Sequence, residues 1–132
     1  MSNNENDLNV EEEIQSDTDI SEEDIDLLAR AIWNECGILG EKGQYYCGSV
    51  ILNRINHEQF PDNLYEVLYA DKQYQIVKNG MINREAPKES YDIARDLLEN
   101  GSILPYNIVY QAQFKQGKYV YEIIGNTYFC GI

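Results

Sequence analysis

The chain is 132 residues long and 43% hydrophobic, which suits one globular domain and excludes a wholly disordered chain. Its formal net charge is -13, but residues 1–26 hold 11 of the 23 acidic groups and none of the 10 basic ones, so the remainder nets only -2. An acidic end on a nearly neutral body, with no Lys/Arg cluster, excludes nucleic acid as a partner, because phosphate binding needs a basic face.

Residues 1–20 are rich in Asn, Asp, Glu and Ser and poor in large apolar groups, so burial does not offset the entropy of ordering them. They read as a disordered acidic tail, with docking of a protein partner as the sharper alternative. Met1 to Val10 lacks a cationic region before an apolar run, so no signal peptide is expected and synthesis in the cytoplasm is. No stretch approaches the ~18–20 apolar residues of a membrane span.

The folded domain is expected over residues 21–132. Ser21-Glu22-Glu23-Asp24 is an N-cap signal, with acids at the positive end of the helix dipole. The helix it starts is expected to reach Cys36 and to stop at Gly37 in the left-handed conformation. Leu28, Ala31, Ile32 and Glu35 fall at i, i+3, i+4 and i+7, which puts a glutamate on the apolar stripe. Gly40 to Gly43 reads as a turn, and a second helix as Gln44 to Asn56. Tyr46, Cys47, Val50 and Ile51 form its buried face, and Gly48 lets another helix approach. After Pro61 a short helix is expected over Leu64 to Tyr69. Residues 70–85 are irregular. Pro87 suits the first position of a third long helix, with Tyr91, Ala94, Leu97 and Leu98 inward and Gly101 as its stop.

Beyond Pro105 the period changes to two. Ile108, Tyr110, Ala112 and Phe114 alternate with Val109, Gln111 and Gln113, Gln116-Gly117 makes a turn, and Tyr119 to Ile124 is rich in β-formers. This predicts a C-terminal antiparallel hairpin, with a third short strand near Thr127 to Cys130. The fold class is α+β, helices first and a small sheet after.

Burial disfavours the charged form of a carboxyl on an apolar stripe and raises its pKa. A carboxylic acid kept protonated near neutral pH can donate to a glycosidic oxygen. Trp33 and Tyr45 or Tyr46 can wall such a pocket and stack on sugar rings. The bland reading is that Glu35 pairs with Arg30 or Arg54, or simply sits at the helix end. Cys36, Cys47 and Cys130 match no zinc pattern and the only histidine is His57, so no metal or cofactor is expected and the thiols read as buried and reduced.

The stretch Ala31-Ile32-Trp33-Asn34-Glu35-Cys36-Gly37, then Gly43-Gln44, then Val50-Ile51-Leu52-Asn53-Arg54, resembles the SleB/CwlJ-type cell wall hydrolases, the spore-cortex-lytic enzymes and their phage and bacterial relatives. Phe60-Pro61, Gln73-Tyr74, Ala94-Arg95 with Leu97, and Ile124-Gly125-Asn126 with Phe129 extend the resemblance in order over about residues 25–132. It implies a reduced lysozyme-like fold, action at the cell wall or spore cortex, and muramidase or lytic transglycosylase cleavage of peptidoglycan glycan strands between N-acetylmuramic acid and N-acetylglucosamine. The family's catalytic glutamate maps onto Glu35. Trp33, Gln73, Tyr74, Gln111 and Asn126 are the candidate glycan contacts, although each is also an ordinary helix, loop or strand residue.

The chain departs from the family pattern at Cys36, where Ala is usual, at Leu39, where a second Glu would align, and at Thr127, where a His is usual. Two-carboxylate glycosidases need a partner acid. Glu41, on a Gly-flanked turn, is the nearest. A single-acid transglycosylase needs none, because the muramyl C6 hydroxyl attacks within the substrate. The alternatives are a non-catalytic glycan-binding module and a phage or spore structural protein working through the acidic tail. An amidase or endopeptidase is disfavoured, since His57 beside Glu58 supplies neither a zinc set nor a Cys-His pair.

Overall fold

A computed structural model describes residues 20–70 and 74–132. The acidic tail expected over residues 1–20 lies outside the described residues except for Ile20, and so does Gln73. Five helices are described: α1 (Glu22–Cys36), α2 (Gly40–Ile55), α3 (Leu64–Tyr69), α4 (Gln75–Lys78) and α5 (Lys88–Asn100). Strands β1 (Ile108–Ala112), β2 (Tyr119–Ile124) and β3 (Thr127–Gly131) follow. No helix among the described residues is long and apolar enough to cross a membrane.

Ser21 caps α1 where the sequence places it, and the structure adds a second cap at Asn63. Ser21 Oγ accepts from the Asp24 backbone N–H at 3.0 Å, and Asn63 Oδ1 accepts from that of Glu66 at 2.8 Å. Each such cap contributes about 1 kcal/mol. The α1 stop differs from expectation. Gly37 is right-handed (φ -57°) and a 3-10 turn, Gly37–Leu39, carries the chain onward, so the left-handed residue is Gly40 (φ +81°). The expected turn at 40–43 is instead the first turn of α2. Pro87 is the N-cap of α5 rather than its first residue.

Helix α2 lies at the centre. Cys47 and Ile51 join Leu28, Ala31 and Ile32 of α1 and Ala94 and Leu97 of α5 in one core. Tyr46 and Val50 join Leu104, Ile108 and Phe129 in a second core under the sheet. A Cβ on Gly48 would meet Leu97 Cδ1 at 2.3 Å and Ile32 Cγ2 at 3.3 Å, so only glycine lets α1 and α5 close on α2 here. On its sheet side α2 is fastened by polar bonds. Asn53 Nδ2 donates to the carbonyls of Pro105 (2.8 Å) and Ile108 (2.9 Å), and Arg54 Nε to that of Val109 (2.7 Å). Tyr46 Oη donates to Glu122 of β2.

The sheet order is β1-β3-β2, all antiparallel. The expected hairpin between residues 108–114 and 119–124 does not form as a pair, because β3 lies between those strands and the true hairpin is β2–β3. A register irregularity between Ile108 and Tyr110 breaks the alternation, so Ile108 and Val109 are both buried, and Phe114 is exposed beyond the strand.

Candidate active site

Glu35 follows Leu28, Ala31 and Ile32 on the inward stripe of α1, and all three of those side chains are fully buried. The last turn of α1 carries no basic residue, so the negative end of the helix dipole also disfavours a charge there. The carboxyl is half-buried, and its Oε1 is enclosed with no hydrogen-bond partner among the described residues. Burial raises its pKa above the ordinary glutamate value. The Gln111 amide and the Arg54 charge work in the opposite direction, and burial outweighs them.

Around it lies a compact polar cluster. Gln111, on β1, donates from Nε2 to Cys36 Sγ at 3.6 Å. The Cys47 thiol is pushed well up by the neighbouring Cys36 and by burial. All three cysteines are free and buried. Tyr74 is buried at the start of α4, with its phenol pushed up by burial. Arg54 lies over the Tyr74 ring at 5.4 Å and the Phe60 ring at 4.8 Å. Tyr74 Oη and Gln111 Oε1 share with Glu35 Oε1 the condition of a buried polar atom without a partner. Unsatisfied buried polar atoms are rare in folded proteins, and here two lie near a carboxyl that carries a third.

Glu35 opens into a cleft of about 350 Å³ lined by Trp33, Asn34, Gly37, Ile38, Met81 and Arg84. Glu35 is the sole carboxylate among the described residues of that wall. Trp33, 38% exposed, forms one side, and its indole lies flat on Gly37, where a Cβ would come within 2.6 Å of Cε3. That close approach, not a left-handed turn, is what requires glycine at 37. A second cavity of about 450 Å³ lies on the far side of Trp33 and Gly37. Glu41 lines this second cavity and not the cleft.

The structure thus places Trp33 beside Glu35 on the cleft wall, and Gln111 and Tyr74 near Glu35 but outside the cleft lining. Asn126 sits apart, exposed in the β2–β3 turn with no side-chain hydrogen bond among the described residues, although neighbouring Gly125 approaches Leu39 beside the cleft. Arg84 and Met81 were not legible as site residues. They come from the irregular stretch before Pro87, which has no periodicity to read. Arg30 Nη1 bonded to the Asn83 carbonyl (2.7 Å) and Asn34 Nδ2 bonded to that of Arg84 (3.3 Å) hold this stretch against α1.

A family model described as Cell Wall Hydrolase matches residues 40–130. The chain belongs to that family. The matched span begins after Glu35, so the case for that residue rests on its environment rather than on the match. A spore cortex-lytic enzyme of Halalkalibacterium halodurans is 34% identical over 74 residues, 56% of this chain and 22% of that protein. One from Oceanobacillus iheyensis is 31% identical over 78 residues, 59% of this chain and 28% of that protein. The aligned stretch is thus about a quarter of these relatives' length. The catalytic domain of the germination-specific lytic transglycosylase SleB from Bacillus anthracis superposes with a TM-score of 0.70 at 22% identity, covering 87% of this chain and 99% of that domain. The SleB catalytic domain of Bacillus cereus gives 0.71 at 24% identity, covering 86% and 93%. The expected α+β, lysozyme-like architecture is the one found.

Proposed function

We propose that this cell wall hydrolase family member cleaves peptidoglycan glycan strands at the bond between N-acetylmuramic acid and N-acetylglucosamine, by the lytic transglycosylase route, with Glu35 as the catalytic acid and then base. The observation that carries this reading is a desolvated carboxyl of raised pKa, alone among the carboxylates of the described residues on the wall of its cleft. Protonated Glu35 donates to the glycosidic oxygen as the C1–O bond breaks. The muramyl C6 hydroxyl then attacks C1 and gives its proton back to the Glu35 carboxylate, which leaves a 1,6-anhydro sugar. No second acid is consumed, which suits a chain with Leu39 where relatives are expected to carry another glutamate.

In this reading Trp33 stacks on a sugar face. Gln111 and Tyr74 supply polar atoms beside Glu35, and Gln73 and Asn126 supply outer hydrogen bonds. A glycan-binding module without activity is disfavoured, because a binder gains nothing from a carboxyl held out of water.

The test is mass spectrometry of purified peptidoglycan after incubation with the chain. Anhydro-muramyl fragments are expected. Reducing muramic ends would replace the route by hydrolysis and require a second carboxylate, with Glu41 first to be examined. Absence of fragments from both cortex and vegetative wall would overturn the activity.

A further inference from the structure

We infer that the cavity behind Trp33 is a second substrate subsite, and that it takes a primary ammonium group carried by the wall strand. The inference rests on the reading of the chain as a peptidoglycan-cleaving enzyme, because it assigns a neighbouring part of the same substrate. The cavity adjoins the Glu35 cleft, with Trp33 and Gly37 in the wall of both. In the proposed binding mode a strand seated over Glu35 passes the exposed indole of Trp33 to reach this space.

Its wall is acidic. Glu41 projects from the first turn of α2, and Glu89 and Asp92 from the start of α5, while no Lys or Arg lines the cavity. Lys88 pairs with Asp92 at 2.9 Å between two exposed side chains, which leaves Glu41 and Glu89 without an ion pair among the described residues. These acids do not converge as a metal would need: no group of three His, Cys, Asp or Glu among the described residues is placed to hold an ion. Carboxylates spread around a cavity of this size suit an organic cation, which is compensated by charge without tight coordination.

A separate observation marks the cavity as built for a ligand. Gln44 is 4% exposed and lines the wall. Its Oε1 accepts from Ser90 Oγ at 2.6 Å, and the bond fixes the side chain. Its amide nitrogen has no hydrogen-bond partner among the described residues, and because the residue forms part of the cavity wall, that nitrogen is assigned as the donor to the ligand. Tyr45 is fixed likewise, with its hydroxyl on Asp96 at 2.6 Å and its ring on the cavity wall. A donor beside carboxylates matches a group that offers an oxygen acceptor close to an ammonium. Two parts of a wall strand have that chemistry: a glucosamine lacking its acetyl group, and the free amine of a stem peptide.

The test is binding by the full chain carrying Glu35→Gln, so that strands stay intact, with cleavage by the unaltered chain scored separately. The probes are wall strands with free amines, the same strands after amine acetylation with acetic anhydride, and peptide-free strands with and without deacetylated glucosamine. Acetylation is expected to weaken binding roughly tenfold. In a chain that also carries Glu41→Gln, Glu89→Gln and Asp92→Asn, binding of the free-amine strands should already be that weak, and acetylation should add nothing. Thermal melting checks that this chain is folded. A preference that survives peptide removal and follows deacetylation assigns the amine to the sugar, and one lost with the peptides assigns it to the stem. Equal binding of capped and uncapped strands, or equal losses for both in the acid-depleted chain, would overturn the subsite. Amine-dependent binding without cleavage by the unaltered chain would retain the subsite and remove the proposed activity.

Discussion

Helix α1 carries two inward-leaning carboxylates nine positions apart, and their surroundings make them opposites. Near its start, Asp26 accepts from Arg30 Nε at 3.0 Å and from the Tyr91 hydroxyl. The Tyr91 bond, and then Arg30, hold its pKa below the ordinary aspartate value against the effect of burial. At the end of the helix, Glu35 has an enclosed oxygen with no partner, and burial drives its pKa the other way. One helix thus presents a carboxylate whose charge is satisfied and one whose charge is unwelcome. A satisfied charge ties α1 to α5, whereas an unwelcome one has the protonated form that the proposed mechanism needs. Difference in environment, not in residue type, separates the two acids.

Replacing each acid breaks the comparison in a different place. Glu35→Gln is expected to lower the cleavage rate by roughly 10³-fold while the fold is kept, measured as release of soluble muropeptides. Activity near that of the unaltered chain would remove Glu35 from the mechanism. Asp26→Asn is expected to leave the rate unchanged and to destabilise the fold by about 1 kcal/mol in denaturant titrations, because Asp26 is partly exposed and solvent screens its ion pair.

The pH dependence sharpens the contrast, since the two groups act with opposite sign. Glu35 has a raised pKa, so the folded state holds its proton more tightly. Its contribution to stability is full below the unfolded value near 4.5 and is lost as pH rises through the folded value. Glu35→Gln should therefore gain stability relative to the unaltered chain at neutral pH, by about 1 kcal/mol, and lose that advantage on acidification. Asp26 has a lowered pKa. Its contribution is present above about 3.8 and is lost as pH falls through the folded value, so Asp26→Asn should cost least in acid. Parallel curves for the two variants would show that their environments do not differ as described.

In the proposed mechanism the same raised pKa is expected to put the descending limb of the pH–rate profile above 4.5. Gln111→Leu removes a group that lowers the Glu35 pKa and should shift that limb further up. An unmoved limb would assign the Gln111 amide to Cys36 alone. The smallest effect concerns the cleft wall, where Trp33→Ala should raise KM by roughly three- to tenfold with little change in kcat, the size of one aromatic stacking contact.

What could be read before folding was local. The i, i+3, i+4, i+7 stripe put Glu35 on the buried face of α1, and Ser21 marked where that helix begins. The short helix Leu64–Tyr69 was legible in the same way, because capping and helical period are set by residues within one or two turns. The motifs that resembled a cell wall hydrolase, Gly43-Gln44 and Val50 to Arg54, proved to be parts of α2: Gln44 lines the second cavity, Ile51 and Leu52 pack in the helical core, and Val50, Asn53 and Arg54 face the sheet side.

Other features depended on contacts between residues far apart in sequence. Strand order was one, since two-residue alternation fixes a strand's faces but not its neighbour, and β3 entered between β1 and β2. Gly37 was another: the sequence marks it as a helix stop, and only the indole of Trp33 lying on its backbone shows why a side chain is excluded. The burial of Arg54 against Tyr74 and Phe60, and the wall that Met81 and Arg84 complete, depend on an aperiodic stretch folding back onto α1. The sequence by itself determined that one glutamate would sit on an apolar helical face. Tertiary structure decided that this face would open into a cleft with no other carboxylate among the described residues and share Trp33 with an acidic cavity, because a cavity is the space left between elements and no single element encodes it.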